Sequence, residues 1–281
     1  MTPWLHNSIA KRYIPKFVIY ALYLTGPCFQ ILEKCASLLQ YPFMQEKPEI
    51  SQPCAIVTGG SRGIGLKIAN RLADQTELDV IICGRNAERL QESMHPRIHP
   101  IVCDVGCEDD VVRMFEQLES RGMTPTVLVN NAAVGVFKPL VDTTLEEWDA
   151  VQDVNVRGAF LCTREAMKRM RTTGGGRIIN IGSVVSIKGY PQQAAYTASK
   201  HALLGLTKVT AVEGAASDII AQIICPGGVD TEMARDARPD LDRSQLIQPD
   251  DVADAVMFCL QQQGNAITDI VQIRRRTSQP F

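Results

Sequence analysis

With 281 residues, 45% of them hydrophobic, the chain is long enough for one large α/β domain or two small ones and apolar enough for a buried core, which excludes a disordered chain. Lysine plus arginine number 29 against 31 aspartate plus glutamate, a net charge of −2, so the overall charge argues for neither a nucleic-acid nor an acidic partner. Nine cysteines, an odd number with several inside apolar runs, point to reduced, buried thiols in a cytosol-facing domain, and neither Cys103 with Cys107 nor the four histidines form a metal set.

The first fifty residues differ in composition from the rest. Lys11, Arg12 and Lys16 precede Phe17–Leu32, an uncharged run of 16 residues broken by Gly26-Pro27 and ended by Glu33-Lys34. A spanning helix needs about 20 apolar residues, and a secretory signal needs a small-residue cleavage site that does not stand out here. Three readings of residues 11–43 stay open: a membrane anchor or interfacial helix, a targeting segment, or an amphipathic arm packed on its own domain or on a partner. Met44–Gln52 reads as a linker, dividing the chain into an extension at 1–50 and a domain at 51–281. The expected location is the cytoplasm or the cytosolic face of a membrane.

Cys54–Thr58 is a short apolar run that ends in Gly59-Gly60-Ser61-Arg62-Gly63-Ile64-Gly65, after which Leu66, Ile68, Ala69 and Leu72 recur at helical spacing. Strand, glycine turn and helix make the context of a phosphate-binding loop. The glycines let the backbone approach a pyrophosphate, and the helix N-terminus offers it unpaired N–H groups. A second strand, Asp79–Gly84, is followed by Arg85, at the distance where an acidic residue would grip the ribose of NAD. Arg85 and Arg62 would instead meet a 2′-phosphate, so NADP is expected over NAD. The third strand, Ile98–Cys103, ends at Asp104-Val105, where the carboxylate could hold an adenine amino group. A helix over Glu108–Arg121 leads to a fourth strand, Thr126–Val129, and to Asn130-Asn131-Ala132-Ala133.

Alternation at this tempo predicts a Rossmann-type, doubly wound parallel α/β sheet of about seven strands with helices on both faces, because parallel neighbours need crossover helices. Ligands of such sheets bind beyond the carboxyl ends of the strands. Thr143 or Thr144 with Glu146-Glu147 suits a helix start. That helix runs to about Arg171 and is out of character at Asp153–Gly158, where an asparagine and a glycine sit in its interior. Arg177–Ile181 is the fifth strand, with Gly182-Ser183 at its end. Tyr196 and Lys200 lie four apart, on one face of a helix, where an ammonium would favour the phenolate and lower the phenol's pKa. Taken alone, that spacing equally describes a tyrosine packed on a lysine stem. Ile219–Cys225 is the sixth strand, Asp250–Gln262 a helix and Ala266–Ile273 a last strand.

Five motifs in order resemble the short-chain dehydrogenase/reductase family, its 3-oxoacyl-carrier-protein reductases in particular, over about residues 53–273. Thr58–Gly65 is similar to the family's cofactor loop, Asn130–Ala133 to its Asn-Asn-Ala-Gly turn, and Tyr196-x-x-x-Lys200 to its active-site signature. Ser183, thirteen residues before the tyrosine, and Asn155 match its catalytic serine and asparagine, and Pro226–Thr231 its loop at the nicotinamide. The resemblance implies an NADPH-dependent carbonyl reductase, or the reverse alcohol dehydrogenase. Tyr196 would be the proton donor and Ser183 the carbonyl anchor, while Lys200 would hold the nicotinamide ribose and Asn155 would position a water. It places the cofactor on Gly59, Ser61, Arg62, Gly63, Ile64, Gly65, Arg85, Asp104, Val105, Asn131, Ala132, Tyr196, Lys200, Pro226, Gly227, Val229 and Thr231. The substrate it implies is a small or carrier-bound carbonyl, with 3-oxoacyl as the first expectation. The family's homodimer is expected, its tetramer less so, because Arg274-Arg275-Arg276 replaces the usual tail; the chain also departs from the pattern at Ala133, which keeps room for the cofactor. The other readings are a catalytically silent NADP-binding sensor and a membrane-tethered interaction protein on the same fold.

Overall fold

The short apolar runs become strands that are covered on both faces, so adjacent residues of one strand enter different cores. In the computed structural model, which describes residues 52–92, 95–237 and 242–279, Ala55 and Val57 of β1 (Pro53–Thr58) pack into one hydrophobic cluster and Cys54 and Ile56 into another. The same alternation recurs in β2 (Asp79–Gly84), where Val80 and Ile82 face the first cluster and Ile81 and Cys83 the second. Doubly buried parallel strands read as unbroken apolar stretches for this reason.

The remaining strands are β3 (Ile98–Val102), β4 (Thr124–Asn130), β5 (Gly176–Ile181), β6 (Ile219–Pro226) and β7 (Ile270–Ile273). All pairings are parallel, in the order β3-β2-β1-β4-β5-β6-β7, so the chain reverses its direction of travel between β1 and β4. One face carries α1 (Gly63–Gln75) and, packed on it, α8 (Pro249–Gln261). The other carries α3 (Glu108–Ser120) and α5 (Ala159–Thr173), which bury Phe115, Leu118, Cys162 and Met170, with α6 (Ala194–Gly214) beside them against β6. Short helices α2 (Ala87–Gln91) and α7 (Glu232–Ala237) lie in loops. This is the expected seven-stranded Rossmann-type sheet.

Between α4 (Leu145–Gln152), which starts on a Thr144–Glu147 capping box, and α5, residues Asp153–Gly158 form a π-helical segment. The extra residue in such a turn bulges the helix and re-aims its side chains. Gly158 is required there: a Cβ would come within 2.7 Å of Val105 Cγ2, so the segment rests directly on the end of β3.

Inside the sheet, Asn130 Nδ2 donates to Asn180 Oδ1 (2.8 Å) and to Thr163 Oγ1 (3.0 Å), and Asn180 Nδ2 donates to Thr207 Oγ1 (2.8 Å). A polar chain thus ties β4 and β5 to α5 and α6 through the core. The described cysteines are free thiols, buried except for Cys107. Among the described residues no helix is long and apolar enough to cross a membrane. The three readings of residues 11–43 lie outside the described residues.

Candidate active site

The turn after β1 is built from backbone pressed against backbone. Thr58 Oγ1 accepts from the N–H groups of Asn131 and Ala132, both at 3.0 Å, and Asn131 Nδ2 donates to the carbonyls of Thr58 (2.9 Å) and Gly59 (3.2 Å). Gly59 and Gly63 have φ of +63° and +53°, which side-chain-bearing residues avoid. A Cβ on Gly59 would stand 2.9 Å from Ala132 Cα, and one on Gly65 would overlap the Gly59 carbonyl. The loop therefore leads into α1 with no room for a side chain at Gly59 or Gly65, and that helix starts without a side-chain cap or an acidic residue in its first turn. A helix start left open in this way suits a bound pyrophosphate.

Arg85 and Arg62 both line the same cleft, with different company. Arg85 is exposed and has no ionic partner among the described residues. Arg62 pairs with Glu232, which also stands 3.8 Å from Arg89. Only one of the two expected phosphate ligands is unengaged, because α7 brings a carboxylate to the other. At the end of β3, Asp104 Oδ1 accepts from Gly106 N (3.0 Å). Asp104 and the buried Val105 face the cleft beside the glycine loop.

Tyr196, Ser183 and Lys200 meet on the wall of this cleft. Tyr196 and Lys200 come from the first two turns of α6, and Ser183 from the turn after β5, where it accepts from Val185 N (3.3 Å). Lys200 is 3% exposed; its Nζ donates to Ile181 O (2.8 Å) and sits 5.6 Å from the centroid of the Tyr196 ring. Asn155 is 1% exposed and does not reach the other three. Its Oδ1 accepts from Val134 N (2.8 Å), and its Nδ2 donates to Val134 O (2.9 Å) and to Ser199 Oγ (2.9 Å). Ser199 Oγ in turn donates to Tyr196 O at 2.8 Å. Both amide protons of Asn155 are thus spent on protein atoms, so its side chain is a brace between the loop after β4 and α6.

The titration of the pair runs against the expectation that the ammonium lowers the phenol's pKa. Burial pushes Tyr196 up to about 12, against a lowering contribution from its hydrogen bond with Ser183. Burial also brings Lys200 down to about 8. Desolvation wins because Nζ is directed at the Ile181 carbonyl, and the cation is itself poorly solvated.

The cleft holds about 690 Å³ and gathers every residue expected at the cofactor, including Ser61, Ile64, Pro226, Gly227, Val229 and Thr231, save Gly65, which lies beneath the loop as packing. It also gathers residues that the motifs did not indicate. Phe137 stacks at a tilt on Tyr196, their centroids 5.8 Å apart, and Lys188, Tyr190 and the segment from Gln272 to Gln279 complete the rim. A signal for the last was present: a parallel final strand must deliver the residues after Ile273 to the same rim as the loops after β1, β4, β5 and β6.

This fold and cleft define a nicotinamide-type oxidoreductase, and comparison with known proteins agrees. Residues 53–242 match the family model of the short chain dehydrogenases, and the protein belongs to that family as an oxidoreductase acting on hydroxyl or carbonyl groups. It is similar to a 3beta-hydroxysteroid dehydrogenase of Mediterraneibacter gnavus, 37% identical over 193 residues, 66% of this chain and 69% of the relative. It is also similar to a 3-oxoacyl-acyl-carrier-protein reductase of Rickettsia bellii, 33% identical over 78% of this chain and 94% of the relative. Among solved structures, a gluconate 5-dehydrogenase from Burkholderia cenocepacia in complex with NADP and tartrate superposes with a TM-score of 0.69 at 30% identity, covering 74% of this chain and 87% of that one.

Proposed function

We propose that the protein reduces a carbonyl to a secondary alcohol with NADPH. The observation that carries this reading is the convergence of Tyr196, Ser183 and Lys200 on the cleft that the glycine loop opens. Support for NADP over NAD comes from Arg85, a guanidinium at the end of β2 with no ionic partner among the described residues, and from the NADP bound in the similar gluconate 5-dehydrogenase. Bound there, the reduced nicotinamide supplies a hydride to the carbonyl carbon.

The chain's own residues handle the oxygen. Ser183 hydrogen-bonds it, and Tyr196 Oη gives its proton as negative charge develops on that oxygen, leaving an alcohol and a phenolate. A phenol held at about 12 keeps its proton throughout the neutral range, which suits donation rather than abstraction. Lys200 is still largely cationic at neutral pH and stabilises the phenolate that forms. Asn155 is a positioning residue that holds α6 through Ser199. The rim, open and polar, suits a small or carrier-bound 3-oxo compound.

Absorbance of NADPH followed with a panel of ketones, for the wild type and Tyr196→Phe, tests the reading. Turnover should fall by about 10²- to 10⁴-fold in the variant with nucleotide binding retained. Undiminished turnover would remove Tyr196 as the acid, and a wild type that binds NADPH yet reduces no ketone would favour the silent sensor.

A further inference from the structure

The cleft is lined by seven cationic side chains and three carboxylates among the described residues: Arg62, Arg85, Lys188, Lys200, Arg235, Arg274 and Arg275 against Asp104, Asp230 and Glu232. The carboxylates are already engaged. Asp230 is held by Arg243 at 3.0 Å, Glu232 pairs with Arg62, and Asp104 accepts from the backbone of Gly106. Arg85, Lys188 and Arg275 keep cationic heads with no partner among the described residues. Arg275 differs from the other two in being half-buried. It is also held in place. Gly227 N donates to Ile273 O (2.8 Å), Ser278 N donates to Arg275 O (3.0 Å), Arg274 Nη1 donates to the carbonyls of Arg275 (3.2 Å) and Ser278 (3.0 Å), and a Cβ on Gly228 would lie 3.9 Å from Arg275 Cδ.

A fork of donors beside an open cleft, with no partner among the described residues, is available to an anion. The nucleotide's phosphates are poorly placed to reach it. They belong to the glycine loop after β1 and to Arg85 after β2, whereas Arg275 follows β7, five strand spacings from β2. At about 4.8 Å per spacing that is roughly 24 Å. Lys188 follows β5, so the two free cations flank the end of β6 on the side where Ser183 and Tyr196 would meet a carbonyl.

We propose that Arg275, assisted by Lys188, binds an oxyanion of the substrate, so that the protein selects carbonyl compounds carrying a carboxylate or a phosphate near the reacting carbon. A planar guanidinium matches either group with two parallel hydrogen bonds. The inference rests on the reductase reading above and narrows its substrate class.

Two matched pairs of substrates test it and separate the two anions: acetoacetate against methyl acetoacetate, and dihydroxyacetone phosphate against dihydroxyacetone. In at least one pair, wild-type kcat/KM should favour the anion by 10-fold or more. That preference should fall to near unity in Arg275→Gln and weaken in Lys188→Gln. Arg276→Gln, on a side chain outside the cleft lining, should keep it. Equal kcat/KM within both pairs, or a preference untouched in Arg275→Gln, overturns the proposal while leaving the reductase reading intact. A second readout needs no turnover: malonate and glycerol 3-phosphate titrated into the NADPH complex by nucleotide fluorescence. Saturable binding of either, weakened 10-fold or more by Arg275→Gln, supports the site even if no ketone is reduced, and binding of neither counts against it.

Discussion

Asn155 and Val134 form a two-way pair, the asparagine carbonyl accepting from the valine N–H at 2.8 Å and its amide donating to the valine carbonyl at 2.9 Å. The side chain thus imitates a strand neighbour for a loop residue that has none, and the π-helical segment is what turns it inward.

Removing this brace should cost stability and rate together. Asn155→Ala leaves the Val134 groups and Ser199 without their partner, at about 1–3 kcal/mol for a buried unpaired group. We expect a lower urea midpoint with an unchanged m-value. Because Ser199 positions the Tyr196 backbone, kcat should drop about 10- to 100-fold. A variant with wild-type kcat would show that the link through Ser199 carries nothing to the site.

Arg85 should set the choice of nucleotide. A charge-assisted hydrogen bond is worth about 1.5–3 kcal/mol, so Arg85→Ala should weaken NADPH by about 10- to 100-fold and leave NADH nearly as it was. Arg62→Ala should do less, since that guanidinium is already matched by Glu232. Fluorescence titration with both nucleotides decides; an equal loss for NADPH and NADH would mean that Arg85 does not meet the 2′-phosphate.

Lys200 should leave a mark on stability above neutral pH. Its pKa is about 8 in the fold against 10.5 ordinarily, so between those values the unfolded chain binds more protons and stability rises with pH. The burial penalty is fully present below about pH 8 and is relieved above it. From pH 7 to 9.5 the wild type should gain on Lys200→Met by about 2 kcal/mol, at about 1.4 kcal/mol per pKa unit. Tyr196 begins to oppose this only above 10, where its unfolded form ionises first. Parallel denaturation curves at the two pH values, with no change in the difference, would contradict the depressed pKa.

Much of this was legible because parallel strands covered on both faces announce themselves as apolar runs, and because glycine turns mark where they end. The run Cys54–Thr58 is β1 with one residue added at its start, and the second strand occupies the expected Asp79–Gly84. The misfit at Asn155 and Gly158 did mark a special turn. The last strand was read as starting at Ala266 but starts at Ile270. Thr268 is taken by side chains instead, its carbonyl accepting from Gln222 Nε2 (2.7 Å) and its N–H donating to Gln262 Oε1 (3.1 Å). What could not be read are partners supplied by the fold: Glu232 for Arg62 across 170 positions, and the Ile181 carbonyl that takes a hydrogen bond from Lys200.

The Asn130–Asn180–Thr207 chain has one more consequence. Apolar packing alone tolerates small sliding of a helix along a sheet, but a chain of side-chain hydrogen bonds inside a core keeps its geometry at one setting only. These bonds therefore index α6, fixing both its rotation and its advance, and a slip by one turn would move Tyr196 by about 5.4 Å. The position of Tyr196 is thereby set from beneath the cleft, by atoms of the core. Rim segments such as the one carrying Arg275 are left free to diverge while Tyr196 stays in place.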